Sequence, residues 1–506
     1  MPIAKPHIQG RGIKDFSDRL TPRKPNILWY CTDQQRFDTI NALGNPYIHT
    51  PNIDRLVKRG VAFRQAYCQS PICTPSRASF MTGMRPSSIH VNGNGIECFP
   101  DGPRLVSRML ADAGYDCGLV GKLHLAGSAS RQERRTDDGY RFFRYSPNPY
   151  WQIREQNDYA DWLESKGLDV MEIVRRFGFS ADAPGDIANA YGWLSEPSLK
   201  EDNLPTKFQQ TTWCSEQAIE FIAQERPPEQ PWLLSVNPFH PHHPFDPPWE
   251  YYQRYDLGSM PKPHFKHSDL EQQARLSEIV FNTPAVEPDL MVSQRTTAAY
   301  YAMIEQIDHE FGRIIGVLES TGQLENTIVI FMSDHGESLW DHGLLLKGCR
   351  FYEGLTRVPL IWSWPGVISS GVESDALVEL TDIAPTLLEF AGVSDRPDMQ
   401  GRSLAPIVTG KAPTDYHRDF VRSEFYSALN RPMSSFATMH RTQRWKLSTY
   451  HGTGLGELYD MEQDPWEHHN LWDDKRVQDT KIELALHSYD DMVLGQDWGP
   501  ARTMAW

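Results

Sequence analysis

The sequence predicts an α/β domain followed by a small antiparallel sheet, and three observations carry that reading. Apolar runs at residues 26–32, 232–236 and 327–332 each end abruptly in polar residues, as buried strands do. Amphipathic stretches with helical spacing lie between these runs, which is the alternation of an α/β sheet. Beyond Gly401 the pattern changes to short strand-like runs, so residues 1–24 read as an arm, 25–400 as the main domain and 401–506 as a C-terminal small-sheet unit with a tail. At 506 residues, 40% apolar and 11% aromatic, the chain can bury a large core.

The elements follow in order. Asn26-Ile27-Leu28-Trp29-Tyr30-Cys31-Thr32 is a buried strand that delivers Asp33-Gln34-Gln35 at its C-terminal end, where open α/β sheets bind ligands. Thr50-Pro51 starts a helix, with threonine as cap and Ile53, Leu56 and Val57 as its buried stripe. Pro75 fits the first turn of a second helix over 76–81, and Gly83 can end it. Cys73 then stands just before free N–H groups that favour an anion, with Arg77 four residues on. A buried structural cysteine and a phosphate-binding thiolate both fit this spacing.

A helix over 105–113 and a strand over 116–120 lead into Gly121-Lys122-Leu123-His124, where an extended backbone would turn Lys122 and His124 to one side. Residues 130–210 read as insertions over one sheet face, with Tyr140, Tyr150, Trp151 and Trp162 among Gly, Pro and Asp. Helix 214–222 and strand 232–236 precede Asn237-Pro238-Phe239-His240-Pro241-His242-His243-Pro244. The longest helix spans 298–320, with Tyr301, Ile304, Ile307, Phe311, Ile314 and Ile315 on one side. Strand 327–332 ends in Ser333-Asp334-His335-Gly336, a strand follows at 358–361, and a helix covers 381–391. Strands at 436–439, 445–449 and 456–459 and a helix near 480–492 complete the chain.

A formal charge of −16 argues against a nucleic-acid partner. Seven scattered cysteines suit free thiols in a reducing, cytoplasmic compartment. No apolar run follows the first residues as a signal peptide would, and no segment is apolar enough to span a membrane. The terminal arm and the Trp506 tail suit self-association as a homo-oligomer.

Cys73-Thr74-Pro75-Ser76-Arg77, with Thr82-Gly83 behind it, resembles the Cys-X-Pro-Ser-Arg signature of the type I sulfatases. Gly-Lys122-Leu-His124, Pro-His242-His-Pro, Lys347 ahead of Thr356-Arg357-Val358-Pro359, and Glu457-Leu458-Tyr459-Asp460 are similar to further family motifs, so the resemblance spans roughly 25–475. It implies the alkaline-phosphatase-like fold, a mixed central sheet flanked by helices. It implies that Cys73 is oxidised to formylglycine (3-oxoalanine) by a formylglycine-generating enzyme during maturation. The metal ligands it implies are Asp33, Gln34, residue 73, Asp334 and His335, around one divalent cation: Ca²⁺ first, with Mn²⁺ or Mg²⁺ as alternatives.

The implied catalytic set is Cys73, Arg77, Lys122, His124, His242 and Lys347. A hydrate oxygen attacks sulfur while Arg77, Lys122 and Lys347 neutralise the anion. His242 or Lys347 protonates the leaving oxygen, and His124 deprotonates the second hydroxyl so that sulfate is eliminated. The implied substrate is a small anionic ester, a sulfate monoester of arylsulfatase type. Many family members carry a second aspartate where this chain has Gln34. The Asp-Gln and Asp-His pairs also resemble the phosphonate monoester hydrolases, so phosphonate monoesters or phosphodiesters are the alternative substrates. An anion-binding protein with an unmodified Cys73 is the non-enzymatic alternative.

Overall fold

Residues of β1 (Asn26–Thr32) alternate between two cores. In the computed structural model, Ile27, Trp29 and Cys31 join one apolar cluster, and Leu28 and Tyr30 join another. Both faces are covered, which is why the sequence runs apolar without alternation. The structure describes residues 24–128, 132–149, 156–177, 203–394, 397, 399–429 and 435–495. The arm before Lys24, Tyr150, Trp151 and Trp506 lie outside the described residues.

The other strands of the large sheet are β2 (Val61–Tyr67), β3 (Asp116–Gly121), β4 (Phe142–Tyr145), β5 (Trp232–Asn237), β6 (Thr327–Ser333), β7 (Arg357–Val358), β8 (Leu360–Ser363) and β9 (Val372–Glu379). Their order is β4-β3-β5-β1-β6-β8-β2-β7, with β9 also pairing β2. From β4 to β6 the strands are parallel, and β8 runs antiparallel to both β6 and β2. The sheet is therefore mixed, as the resemblance implied. The single strand expected over 358–361 is divided at Pro359, which has no N–H to give to a ladder. Strands β2, β4 and β9 were not anticipated. Polar or charged residues such as Arg64, Gln65, Arg144, Glu373 and Asp375 interrupt their apolar character.

The longest helix begins at Leu290, not Ala298, because Asp289 caps it by accepting from Val292 N–H. Its expected stripe divides between two cores. Tyr301 and Ile304 pack with Phe245 and Trp340, while Ile307, Phe311, Ile314 and Ile315 lie under β1. Helix Pro51–Arg59 buries Ile53, Leu56 and Val57 and has Thr50 at its N-cap position as expected, but the Thr50 side chain makes no capping hydrogen bond. The Thr50 hydroxyl donates to Asp54, and the free N–H groups of Asn52 and Ile53 donate to the Asp308 carboxylate at 2.9 and 2.7 Å. A cap supplied from a distant helix has no local sequence signal.

The C-terminal sheet is antiparallel in the order β10 (Phe420–Tyr426), β11 (Phe436–Thr442), β12 (Trp445–Tyr450), β13 (Leu455–Asp460), and helix Gln478–Leu494 follows. Its contact with the large sheet includes a buried cation. Lys446 Nζ lies 3.0 Å from Glu353 and 2.7 Å from Glu467, all three side chains at most 3% exposed. Burial opposes both carboxylate charges; Lys446 nevertheless holds Glu353 below its usual range, while burial keeps Glu467 raised. Lys446→Met would strand two buried carboxyls, so we expect a loss of about 3–5 kcal/mol. The urea midpoint checks this; a drop worth less than about 1 kcal/mol, the scale of an exposed pair, would contradict it.

Candidate active site

Thr32 pairs with Ser333 across parallel strands β1 and β6, so the two strands end at the same level. Asp33-Gln34 and Asp334-His335 therefore emerge side by side, and all four are fully buried. Helix Cys73–Thr82 faces them, every residue buried, and Gly83 ends it with φ 71°. The helix starts at Cys73, earlier than expected, which places the thiol in the first turn and Pro75 in its third position. Pro75 still costs nothing there, because that N–H has no helical partner.

Cys73 Sγ lies 3.1 Å from His335 Nε2, 3.1 Å from Lys347 Nζ and 3.7 Å from Asp33. Lys347 Nζ is also 3.1 Å from His335 Nε2. Lys122 Nζ donates to Asp33, and Arg77 Nε donates to Asp334 at 2.9 Å. Burial alone would raise the Cys73 thiol, but Lys122, Lys347 and His335 bring it well below its usual value. Burial likewise opposes charge on Asp33, yet Lys122 holds that carboxyl low, while burial and Asp33 raise Asp334.

Arg77 is expected to neutralise the anion, and two of its three nitrogens are engaged by the site itself. Its Nε is committed to Asp334 and its Nη1 to the Lys122 carbonyl at 3.0 Å. Nη2 stands 3.6 Å from Asp33 and makes no hydrogen bond among the described residues. Ser76, in the same turn, donates to the Asp334 carbonyl. The helix thus grips the carboxylates it faces.

Lys122 and His124 reach the site, but not by extended backbone. His124 sits at φ 57°, in the left-handed region. Its own N–H and that of Leu125 donate to the Glu133 carboxylate at 2.8 and 2.9 Å, and its ring is coupled electrostatically to Cys73. Of the three histidines of the 240–243 loop, His242 has its proton affinity raised by Cys73 and places Nδ1 against the His243 carbonyl at 2.5 Å. His240 turns to Thr211 at 3.1 Å, and His243 Nδ1 lies 3.1 Å from Gln34 Nε2. Burial, then Lys122, lowers His124 to about 4; burial, then Lys347, lowers His242 to about 4.

Ligand atoms of Asp33, Cys73, Asp334 and His335 all lie within 4.8 Å of one another. Gln34 supplies a sharper test of fit. Its Nε2 is taken by His243 and the Glu337 carboxylate, while its buried Oε1 has no partner among the described residues. Such an oxygen is costly unless a donor or a cation meets it. Two carboxylates, an amide oxygen, an imidazole and residue 73 together fit a divalent cation. Glu337 and Glu133 were missed by sequence reasoning. Glu337 stands three residues after Asp334 and could have been noticed; Glu133 falls in a segment that carries no motif.

The sulfatase family model matches residues 25–393, and the model for the C-terminal part of N-sulphoglucosamine sulphohydrolase matches 341–490. The chain is 31% identical over 471 residues to an arylsulfatase of Clostridium perfringens, covering 88% of this chain and 90% of that protein. It is 30% identical over 476 residues to a choline-sulfatase of Rhizobium meliloti, covering 90% and 84%. The phosphonate monoester hydrolase of Agrobacterium radiobacter shares the fold, with a TM-score of 0.76 over 94% of this chain and 96% of that one at 23% identity. A chain whose cysteine signature, metal cluster and family match coincide in this way belongs to the type I sulfatases of the alkaline-phosphatase-like superfamily and hydrolyses sulfate esters.

Proposed function

We propose that the substrate is an aryl sulfate or a similarly small sulfate monoester, and that each clustered side chain has a distinct part in its hydrolysis. The reading is supported above all by the convergence of Lys122, His124, His242 and Lys347 on Cys73. The Clostridium and Rhizobium relatives support a small leaving group. Asp33, Gln34, Asp334 and His335 would hold the cation, which when bound polarises the nucleophile and one sulfate oxygen. We propose Ca²⁺, with Mn²⁺ or Mg²⁺ as alternatives, from the oxygen-rich donors. Formylglycine, made from Cys73 by a formylglycine-generating enzyme, supplies two hydroxyls on one carbon in its hydrated form, one to attack sulfur and one to drive sulfate elimination.

The remaining steps fall to the chain itself. Lys122 and Lys347 neutralise the sulfate, and Arg77 acts through Asp33 and Asp334, whose orientation it fixes. A neutral imidazole is a base, so His124 takes the proton whose loss expels sulfate. His242 is also held neutral and orients the ester. Lys347, with three N–H donors at the nucleophile, gives the proton to the leaving oxygen. A phosphonate monoester or phosphodiester is the second reading, favoured by Gln34 with His335. The seven free cysteines support a cytoplasmic location, and the extra terminal residues support self-association.

Peptide mass spectrometry of active enzyme should find residue 73 about 18 Da lighter than cysteine, the loss for thiol to aldehyde. Fully active protein that retains only cysteine would exclude the nucleophile. Cys73→Ser should bind substrate yet turn over poorly or once, because serine has no second hydroxyl to eliminate sulfate.

Asp33→Asn and Asp334→Asn should each lose tightly held cation and most activity, since each removes charge from a hard-cation site. Elemental analysis after chelation tests this; metal-free wild type with full activity would refute the cation assignment.

On matched substrates, wild type should prefer aryl sulfate to phenyl phosphonate. Lys122→Ala should cost about 2–4 kcal/mol of transition-state stabilisation on the sulfate. A preference for the phosphorus esters, with no selective sulfate loss in the variant, would favour the second reading.

A further inference from the structure

A second cluster of ligating side chains lies at the seam between the large sheet and the C-terminal sheet. Asp269 belongs to helix His267–Arg275, His342 to the loop after β6, and His468 to the turn after β13. One ligand atom from each lies within 4.8 Å of the others. Their side chains are 2%, 4% and 9% exposed. The trio shares no residue with the cluster around Cys73.

The spacing leaves room for an ion beside the hydrogen bonds. His468 Nδ1 lies 3.0 and 3.1 Å from the two Asp269 oxygens, while His342 Nδ1 stands 3.6 Å away, beyond a good hydrogen bond. Zinc–nitrogen and zinc–oxygen bonds of about 2.0–2.1 Å in a tetrahedron separate neighbouring ligand atoms by about 3.3–3.4 Å. The separations of Asp269 from the two histidines bracket that value, and the histidine nitrogens lie within 4.8 Å of each other. Asp269 is fixed by accepting from Lys266 N–H at 2.8 Å, and the His342 ring is stacked on Tyr352 with centroids 3.9 Å apart. Ligands held in this way are oriented before an ion arrives.

The loop that carries His342 is strained. Leu339, Trp340, His342 and Leu346 all have positive φ, between 49° and 70°, a region that costs such residues of order 1 kcal/mol or more. The loop ends at Lys347, which touches Cys73. We propose that Asp269, His342 and His468 form a second metal site of Zn²⁺ type, which ties this loop to helix His267–Arg275 and to the C-terminal sheet. Two imidazoles and one carboxylate select a late first-row divalent ion and leave one position for water. The oxygen-rich catalytic cluster selects harder ions, so the two sites differ in the metal they prefer.

The test uses full-length protein stripped with chelator, then given Zn²⁺, or Co²⁺ as its spectroscopic substitute. In Asp33→Asn, where the catalytic cluster is disabled, one equivalent of Zn²⁺ per chain should survive gel filtration, and Co²⁺ should give the strong visible bands of low-coordinate imidazole ligation. Adding His468→Gln should abolish both the uptake and the bands. Zn²⁺ should raise the melting temperature of Asp33→Asn, as binding to the folded state requires, and should not raise that of the double variant. Equal zinc uptake by both proteins, or none by either, overturns the proposal and leaves a metal-free Asp–His triad. Circular dichroism confirms folding, and His342→Asn replaces His468→Gln if the latter fails to fold. None of these readouts depends on sulfatase activity.

Discussion

Asp33 and Asp334 leave neighbouring parallel strands at one level, and both are buried from water. Two like charges in such a place repel strongly and lose their hydration. Much of the surrounding structure answers that constraint. Arg77 bonds Asp334 and stands near Asp33, Lys122 bonds Asp33, and Lys347 lies against His335. The same arrangement creates a positive field around residue 73, which is what a thiolate or an anionic ester needs.

The field also sets the states of the histidines. His124 and His242 are buried beside lysines, and both effects disfavour the imidazolium. His335 lies between Asp334 and Lys347; the carboxylate prevails over burial and raises it. Of these three imidazoles, two are therefore held low and His335 high, because their nearest charges differ. Such separation lets neighbouring groups take different parts in one reaction.

The strands that carry the site were legible because fully buried parallel strands are continuous apolar runs with abrupt polar ends. Asp33, Asp334 and His335 stand at those ends. Legibility failed where structure is made at a distance. The cap on helix Pro51–Arg59 comes from Asp308. Strand β10 carries Arg422 and Glu424, which pair with each other in the interior, so composition alone looked too polar. The contact of His124 with Cys73 was anticipated for the wrong reason. Its ring arrives through a left-handed backbone held by Glu133, not through alternation along a strand. Arg77 lies at the site as its spacing from Cys73 suggested, but its bonds to Asp334 and the Lys122 carbonyl had no signal there, because spacing fixes a direction and not a bonding partner.

Cys73 is 1% exposed and opens a helix in which every residue is buried. No protein-sized catalyst can reach its sulfur while the sheet, the helix and the loop before Lys347 are assembled around it. A maturation enzyme of the proposed kind would therefore have to act between synthesis of the chain and closure of the core. Folding and maturation compete for the same few residues, and a chain that folds first is locked in its cysteine form. The fraction of active molecules is then fixed by kinetics at birth, so two preparations with identical folds can differ in specific activity.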